Sequence, residues 1–245
     1  MRFDVLTLFP KMFEFAFSEG VISRAIKNKI IELNLINIRN FSNHKNKNVD
    51  DYPYGGGCGM IMQAQPIFDA HLNIFKKLNY KPTTIYLTPQ GKTLKQKTVE
   101  MMSKQKHLIL LCGHYEGVDQ RVLDEIVDEE ISIGDFILTG GEIAAMIIID
   151  SVSRLIPKVL KNENSKICET FQNNLLEYPQ YTRPNIWNGK QVPSVLLNGN
   201  HKKIKYWRKK QSILLTLAKR QDLIDLNKLN EDEKEFIKNF KKLKK

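Results

Sequence analysis

Residues 132–142 read Ser-Ile-Gly-Asp-Phe-Ile-Leu-Thr-Gly-Gly-Glu (SIGDFILTGGE), an apolar segment with glycines on both sides that leads into a helix start. Glycines ahead of a helix often cradle phosphate, so this stretch decides which α/β fold and which ligand class to expect. A P-loop needs GxxxxGK[ST], and the chain contains no such string. A Rossmann fingerprint needs GxGxxG in the first strand-to-helix turn, and Gly134, Gly140 and Gly141 do not have that spacing. Two further turns, YLTPQGK (86–92) and CGHYEGVDQR (112–121), stand in the same relation to a strand. Open α/β sheets bind ligands beyond the carboxyl ends of their strands, so the three turns are expected to form one pocket of backbone amides and carbonyls. Its walls include Leu87, Tyr115, Ile133 and Leu138, with little fixed positive charge. That lining suits an adenine ring and a sulfonium amino acid better than a triphosphate.

Working outward, short apolar runs with strand character recur at 3–9, 35–41, 83–89, 107–113 and 129–134. Helical stretches alternate with them: VISRAIKNKIIEL, PIFDAHLNIFKKL and VDQRVLDEIV, followed by the very apolar GEIAAMIIIDSVSRLIP, which ends before Pro157. Alternation of this kind predicts an α/β fold with a mainly parallel sheet. Residues 158–172 are polar and without period, and divide the chain into an α/β domain over 1–159, a flexible linker over 160–172 and a small α-helical domain over 173–245. The long loop SNHKNKNVDDYPYGGGCG (42–59) is of a length more often functional than idle.

The net charge of +11 is unevenly placed. Residues 200–245 hold 15 Lys/Arg and 6 Asp/Glu, a balance of +9, which leaves +2 for residues 1–199. A basic tail reads either as a solvated Lys-rich helix end or as a polyanion-binding surface. Cys58, Cys112 and Cys168 lie more than fifty residues apart, which gives no zinc-finger or CxxC spacing and fits a reducing compartment. Asp4 and Pro10 interrupt the N-terminal apolar stretch, and no apolar run nears the ~20 residues that span a membrane. A cytoplasmic protein is expected.

GGGxGM (55–60), YLTPQG (86–91), LCGHYEGVDxRV (111–122), SIGDFILTGGE, LLEYPQYTRP (175–184) and LLNGNHKKIKYWRKKQS (196–212) occur in this order and with near-identical spacing in a known family. By these motifs the chain resembles the bacterial tRNA (guanine-N1-)-methyltransferases, over essentially its whole length. The resemblance implies a SPOUT fold, with a deep trefoil knot in the C-terminal part of the sheet, and a homodimer whose active site is shared between subunits. It implies S-adenosylmethionine held by Leu87, Pro89, Gly113, Tyr115, Ile133, Gly134, Asp135, Phe136, Ile137, Leu138, Gly140 and Gly141. The family usually has Tyr where this chain has Phe136, so a ring is kept and a hydroxyl lost.

The implied reaction is methylation of N1 of the guanosine immediately 3′ of the anticodon in tRNA, with magnesium required for activity and no dedicated metal site in the sequence. Removing the N1 proton requires a base, and charge developing on O6 calls for a cation. By resemblance the base is Glu169, the cation is Arg154, and Glu116 lies near the target base. Read without the resemblance, Arg154 is a helix-end arginine spaced i,i+4 from Asp150. The family usually shows Asp-Ser-Phe where this chain has Glu169-Thr170-Phe171, a methylene longer. Lys202, Lys203, Lys205, Arg208, Lys209 and Lys210 are the expected tRNA phosphate contacts. Tyr206 and Trp207 stack on bases or face a core. Competing readings are a SPOUT ribose 2′-O-methyltransferase and a catalytically silent tRNA-binding protein. Cys112 beside His114 is a strand-end core residue on this reading, since methyl transfer from a sulfonium needs no thiol.

Overall fold

The computed structural model describes residues 1–76, 78–161, 170–171 and 174–243. It divides into two compact units, Met1–Glu163 and Asn164–Lys245. In the first unit the order is β1 (Arg2–Thr7), α1 (Pro10–Ala16), α2 (Gly20–Lys27), β2 (Glu32–Asn37), β3 (Asp50–Asp51), β4 (Ile61–Met62), α3 (Ala64–Phe75), β5 (Thr83–Thr93), α4 (Gln96–Met102), β6 (His107–Cys112), α5 (Gln120–Ile126), β7 (Glu129–Ser132) and α6 (Glu142–Ser153). Five strands form one sheet in the order β2-β1-β6-β5-β7, and every pairing in it is parallel. The predicted α/β class with a parallel sheet is what the chain adopts.

Alternation along the strands creates two cores. In β6, Leu108, Leu110 and Cys112 join Phe3, Val5, Ile85 and Leu87 on one face, under residues of α1, α2, α4 and α6. Ile109 and Leu111 point the other way and meet Leu6, Met62, Ile67 and Ile74 beside α3 and α5. A central parallel strand buried on both faces is expected to be largely apolar, and all six residues His107–Cys112 are buried, with only His107 polar.

Two expectations are corrected. The helix expected over VISRAIKNKIIEL stops at Lys27, because Asn28 caps it and Lys29 takes a left-handed φ of 56°. Ile30 and Ile31 therefore lead into a strand at 32–37, and residues 38–41, expected as strand, form a 3₁₀ turn. Helix α4 carries no periodic signal in the sequence, since its buried side chains are only Val99 and Met102. Parallel pairing of β5 with β6 requires such a crossover.

The amino ends of the strands are tied by a buried carboxylate. Asp4 is 0% exposed and accepts hydrogen bonds from Arg2 Nε (3.0 Å) and Nη2 (2.9 Å) and from Asn34 Nδ2 (2.8 Å), with His107 Nε2 at 3.0 Å. Burial raises its pKa, but the hydrogen bonds from His107, Arg2 and Asn34 outweigh burial and hold it below the usual carboxylate value.

In the second unit, a hairpin of β8 (Ile186–Trp187) and β9 (Lys190–Gln191) turns through Asn188-Gly189, both at positive φ. Then come α7 (His201–Lys219) and α8 (Glu231–Leu243), with Leu175, Ile213, Leu229 and Ile237 as a small core. Asn200 caps α7 by accepting from the Lys203 N–H at 3.1 Å. None of the described helices is long and apolar enough to cross a membrane.

Replacing Asp4 by Ala should lower stability by about 3–5 kcal/mol in urea titrations at pH 7, the usual cost of breaking a buried charged cluster. A carboxylate with a depressed folded pKa stabilises above its unfolded pKa and loses that contribution as pH falls through the folded value. The difference between wild type and Asp4→Ala should therefore shrink as the pH is taken below about 4.

Candidate functional site

One loop bulges out of β5, and two more leave the sheet at the carboxyl ends of β6 and β7. The β5–β7 register jumps from Leu87 to Lys92, both opposite Ile131, so Thr88 to Gly91 bulge out of the ladder. Residues 86–90, with 113–118, 132–134 and 136–141, line a cleft of about 550 Å³. That is a volume suited to a small organic ligand.

Glycine is required where the loops meet. A Cβ on Gly140 would lie 2.1 Å from His114 Nε2, one on Gly141 would lie 2.8 Å from Cys112 Cα, and one on Gly113 would lie 2.9 Å from the Tyr86 hydroxyl. The contact is fixed by a Gly141 N–H to Gly113 C=O hydrogen bond of 2.9 Å and by a bridge between His114 and Gly140. Much of the cleft wall is consequently bare backbone.

Behind this wall lies Glu142, 2% exposed at the start of α6. Its Oε1 accepts from Thr7 Oγ1 at 2.7 Å and its Oε2 is 2.8 Å from His114 Nε2, so one carboxylate joins β1, the loop after β6 and α6. Thr7 Oγ1 in turn accepts from the Phe9 N–H at 2.9 Å, and the Phe9 ring lies 4.9 Å from that of His114. The His114 N–H donates to Met62 Sδ at 3.2 Å. Neither Thr7 nor Glu142 was singled out from sequence, and an acidic residue at a helix start reads locally as a dipole partner only. Cys112 is fully buried, and burial, aided by the charge of Glu142, pushes its thiol pKa well up. It is a core residue and no nucleophile.

Of the twelve expected cofactor residues, all but Asp135 line the cleft: Leu87, Pro89, Gly113, Tyr115, Ile133, Gly134, Phe136, Ile137, Leu138, Gly140 and Gly141. Asp135 is exposed, on a tight turn closed by the Phe136 N–H to Gly134 C=O bond of 3.0 Å. Glu116 lies at the cleft against the glycine loop, where a Cβ on Gly59 would meet its carboxylate at 2.6 Å. The Glu116 N–H donates to Met60 C=O (3.0 Å) and the Met62 N–H to Gly117 C=O (2.9 Å), so the long 42–59 loop is tied to this site. Tyr86, Thr88, Gln90 and His114, which lie within the turns expected to form the pocket, also line the cleft. Arg154 caps the C-terminus of α6 and is not among the cleft residues. Glu169 lies outside the described residues, as does most of the expected linker.

The lining residues include no Lys or Arg, while Glu116 and Glu130 contribute carboxylates. A polyphosphate is disfavoured there, and a flat heterocycle carrying a cationic centre is matched by backbone polar groups, apolar side chains and nearby negative charge. The residues therefore fit an adenosyl sulfonium ligand.

On α7, Lys202, Lys203, Lys205 and Arg208 are exposed. Lys209 pairs with Glu233 of α8 at 3.4 Å, and Lys210 Nζ stands over the rings of Tyr206 (4.4 Å) and Phe236 (4.8 Å). These two lysines help hold α8 onto α7. Trp207 is half-buried, with its ring 6.3 Å from that of Tyr181.

Gly140→Ala should weaken binding of S-adenosylmethionine about tenfold or more in isothermal titration, since a Cβ only 2.1 Å from His114 Nε2 must displace His114 from Glu142. Gly189→Ala, in the distant hairpin turn with nothing within 4 Å of the added Cβ, should leave that affinity unchanged.

The family model for tRNA (Guanine-1)-methyltransferase TrmD matches residues 1–226. Curated proteins with the name tRNA (guanine-N(1)-)-methyltransferase are similar along nearly the whole chain. That of Ruminiclostridium cellulolyticum is 56% identical over 92% of this chain and 97% of its own length. That of Alkaliphilus metalliredigens is 50% identical over 100% of both chains, and that of Clostridium botulinum 52% identical over 99% of both.

Proposed function

The chain belongs to the tRNA (guanine-1)-methyltransferase family, and from that premise we propose that it methylates N1 of the guanosine immediately 3′ of the anticodon in tRNA. Membership of a methyltransferase family implies S-adenosylmethionine as the methyl donor. The observation that carries the assignment to a site is the cation-free cleft walled by Gly113, Gly140 and Gly141. We assign the cofactor to the eleven expected residues that line this cleft, and give Asp135 a part through the turn that shapes the loop rather than by contact.

The cofactor supplies an electrophilic methyl group on sulfur. The protein must then remove a proton from N1 and stabilise charge that develops on O6. Glu169 takes the proton and Arg154 faces O6, while Glu116, at the junction of the cleft and the Gly55–Gly59 loop, lies beside the target base. The guanine leaves its stack to reach the cleft, as bases modified by enzymes generally must.

The deep trefoil knot belongs to the same reading. Its support is the chain path: β7 is at the sheet edge, yet residues 133–141 return to join Gly113 and His114 at the end of β6, and α6 then packs on β1 and β6. Homodimerisation is supported by apolar surface on the first unit. Ile137 is 81% exposed, and Phe15, Phe136, Ile143 and Ile147 are exposed as well. A small helical domain over 173–245, joined through 160–172, supplies the tRNA grip, with Lys202, Lys203, Lys205 and Arg208 on phosphates and Lys209 and Lys210 steadying the helix that presents them. The enzyme works in the cytoplasm with magnesium. Among the described residues no group of three His, Cys, Asp or Glu forms a metal cage, so no step is assigned to the ion.

Nucleoside analysis of a tRNA transcript methylated with labelled cofactor tests the reaction. Label in 1-methylguanosine, abolished when the guanosine 3′ of the anticodon is replaced, is expected; label on ribose alone, or none, contradicts it. Arg154→Ala and Glu169→Gln should each lower kcat by roughly 10²–10³-fold with cofactor affinity kept. For tRNA binding, Ala at Lys202, Lys203, Lys205 or Arg208 should each reduce the slope of log K against log salt by about 1.

A further inference from the structure

The second unit contains a cleft of about 530 Å³ with no part in the proposed reaction. One wall is the segment 178–183 and Asn185, and the other is formed by Ile204 and Arg208 of α7, with Val192, Leu196 and Leu197 completing it. The segment is anchored at both sides: the Leu176 N–H donates to Thr216 Oγ1 of α7 at 2.9 Å, and the Val192 N–H donates to Asn185 C=O at 3.0 Å. The cleft is thus built by the fold of this unit and does not depend on an arriving ligand to form it.

Its chemistry is specific. The Arg208 guanidinium carbon stands 4.8 Å over the Tyr178 ring, and Arg208 is an exposed residue of the cleft lining. Tyr181, 48% exposed, offers a second ring. Arg183 adds another guanidinium, Gln180 and Asn185 add amides, and the lining includes no carboxylate. Two arginines without an acid select an anion, and rings beside them select a flat π-system. An apolar peptide would leave both guanidiniums desolvated and unanswered. Lys202, Lys203 and Lys205 lie exposed on the same helix as Arg208, so the surrounding charge draws in a polyanion.

We infer that this cleft holds one nucleotide of the tRNA other than the target guanosine, with its base stacked at Tyr181 and its phosphate against Arg183 and Arg208. Identification of the polyanion as tRNA rests on the proposed function; the nucleotide chemistry of the cleft does not. The cleft is an aromatic and arginine platform of the kind that holds single-stranded nucleotides, and it adds affinity and register without touching the reacting atoms.

The test uses the full-length protein with Tyr181→Ala, Tyr181→Phe and Arg183→Ala, checked for native circular dichroism. Tyr181→Ala and Arg183→Ala should each raise the KM for tRNA, and the Kd of a fluorescein-labelled anticodon stem-loop measured by anisotropy, by roughly 5- to 100-fold. The kcat at saturating tRNA and the KM for S-adenosylmethionine should stay within about twofold, and Tyr181→Phe should bind like wild type, since the ring and not the hydroxyl stacks. Unchanged stem-loop affinity in both Ala variants, or a loss confined to kcat or to the oligomeric state, would overturn the inference. If wild type transfers no methyl group yet Tyr181→Ala loses stem-loop affinity, the proposed reaction fails while the nucleotide cleft stands.

Discussion

The first unit is organised around one close approach. Residues 140–141 lie so near 112–114 that side chains are excluded at Gly140 and Gly141, and the contact is closed by the Gly141 to Gly113 hydrogen bond. Glu142 is buried immediately behind it, held by Thr7 and His114. A buried carboxylate is tolerated only where its oxygens are answered, and here the answering groups come from β1 and from the loop after β6. The same contact fixes where α6 begins, brings the 133–141 loop back from the sheet edge to the sheet centre, and leaves bare backbone along the cleft. Fold and cleft are consequences of one juxtaposition.

How much of this was legible in the sequence depends on the range of the interaction. Alternation and strand-end glycines are local signals, and they point to the sheet, its parallel sense and Leu87, Tyr115, Ile133 and Leu138 of the cleft, while the other expected cleft residues follow from the family resemblance. The strand at 32–37 was shifted because Ile30 and Ile31 continue a helical pattern across a left-handed Lys29 that no propensity marks. Helix α4 was missed because a short crossover with two buried residues carries almost no periodic signal. Glu142 was invisible as an anchor because Thr7 is 135 residues away in sequence. Asp135 was carried along by the motif around it, although its own side chain is at the surface.

The second unit shows the converse case. The basic character of its helix was plain, but charge alone did not separate Lys202, Lys203, Lys205 and Arg208, which face solvent, from Lys209 and Lys210, which engage α8. Packing made that division. It also turned the LLEYPQYTRP motif, useful from sequence only as a mark of resemblance, into the wall of a cleft with its own chemistry.

The central claim is that a ligand meets backbone groups of three loops joined at Gly113 and Gly141. Hydrogen exchange of the backbone amides, followed with and without S-adenosylhomocysteine, tests it most directly. The account predicts slowed exchange in 86–91, 113–117 and 132–141 together, with the α7 region unaffected. Protection absent from these loops, or confined to a single one, would contradict it.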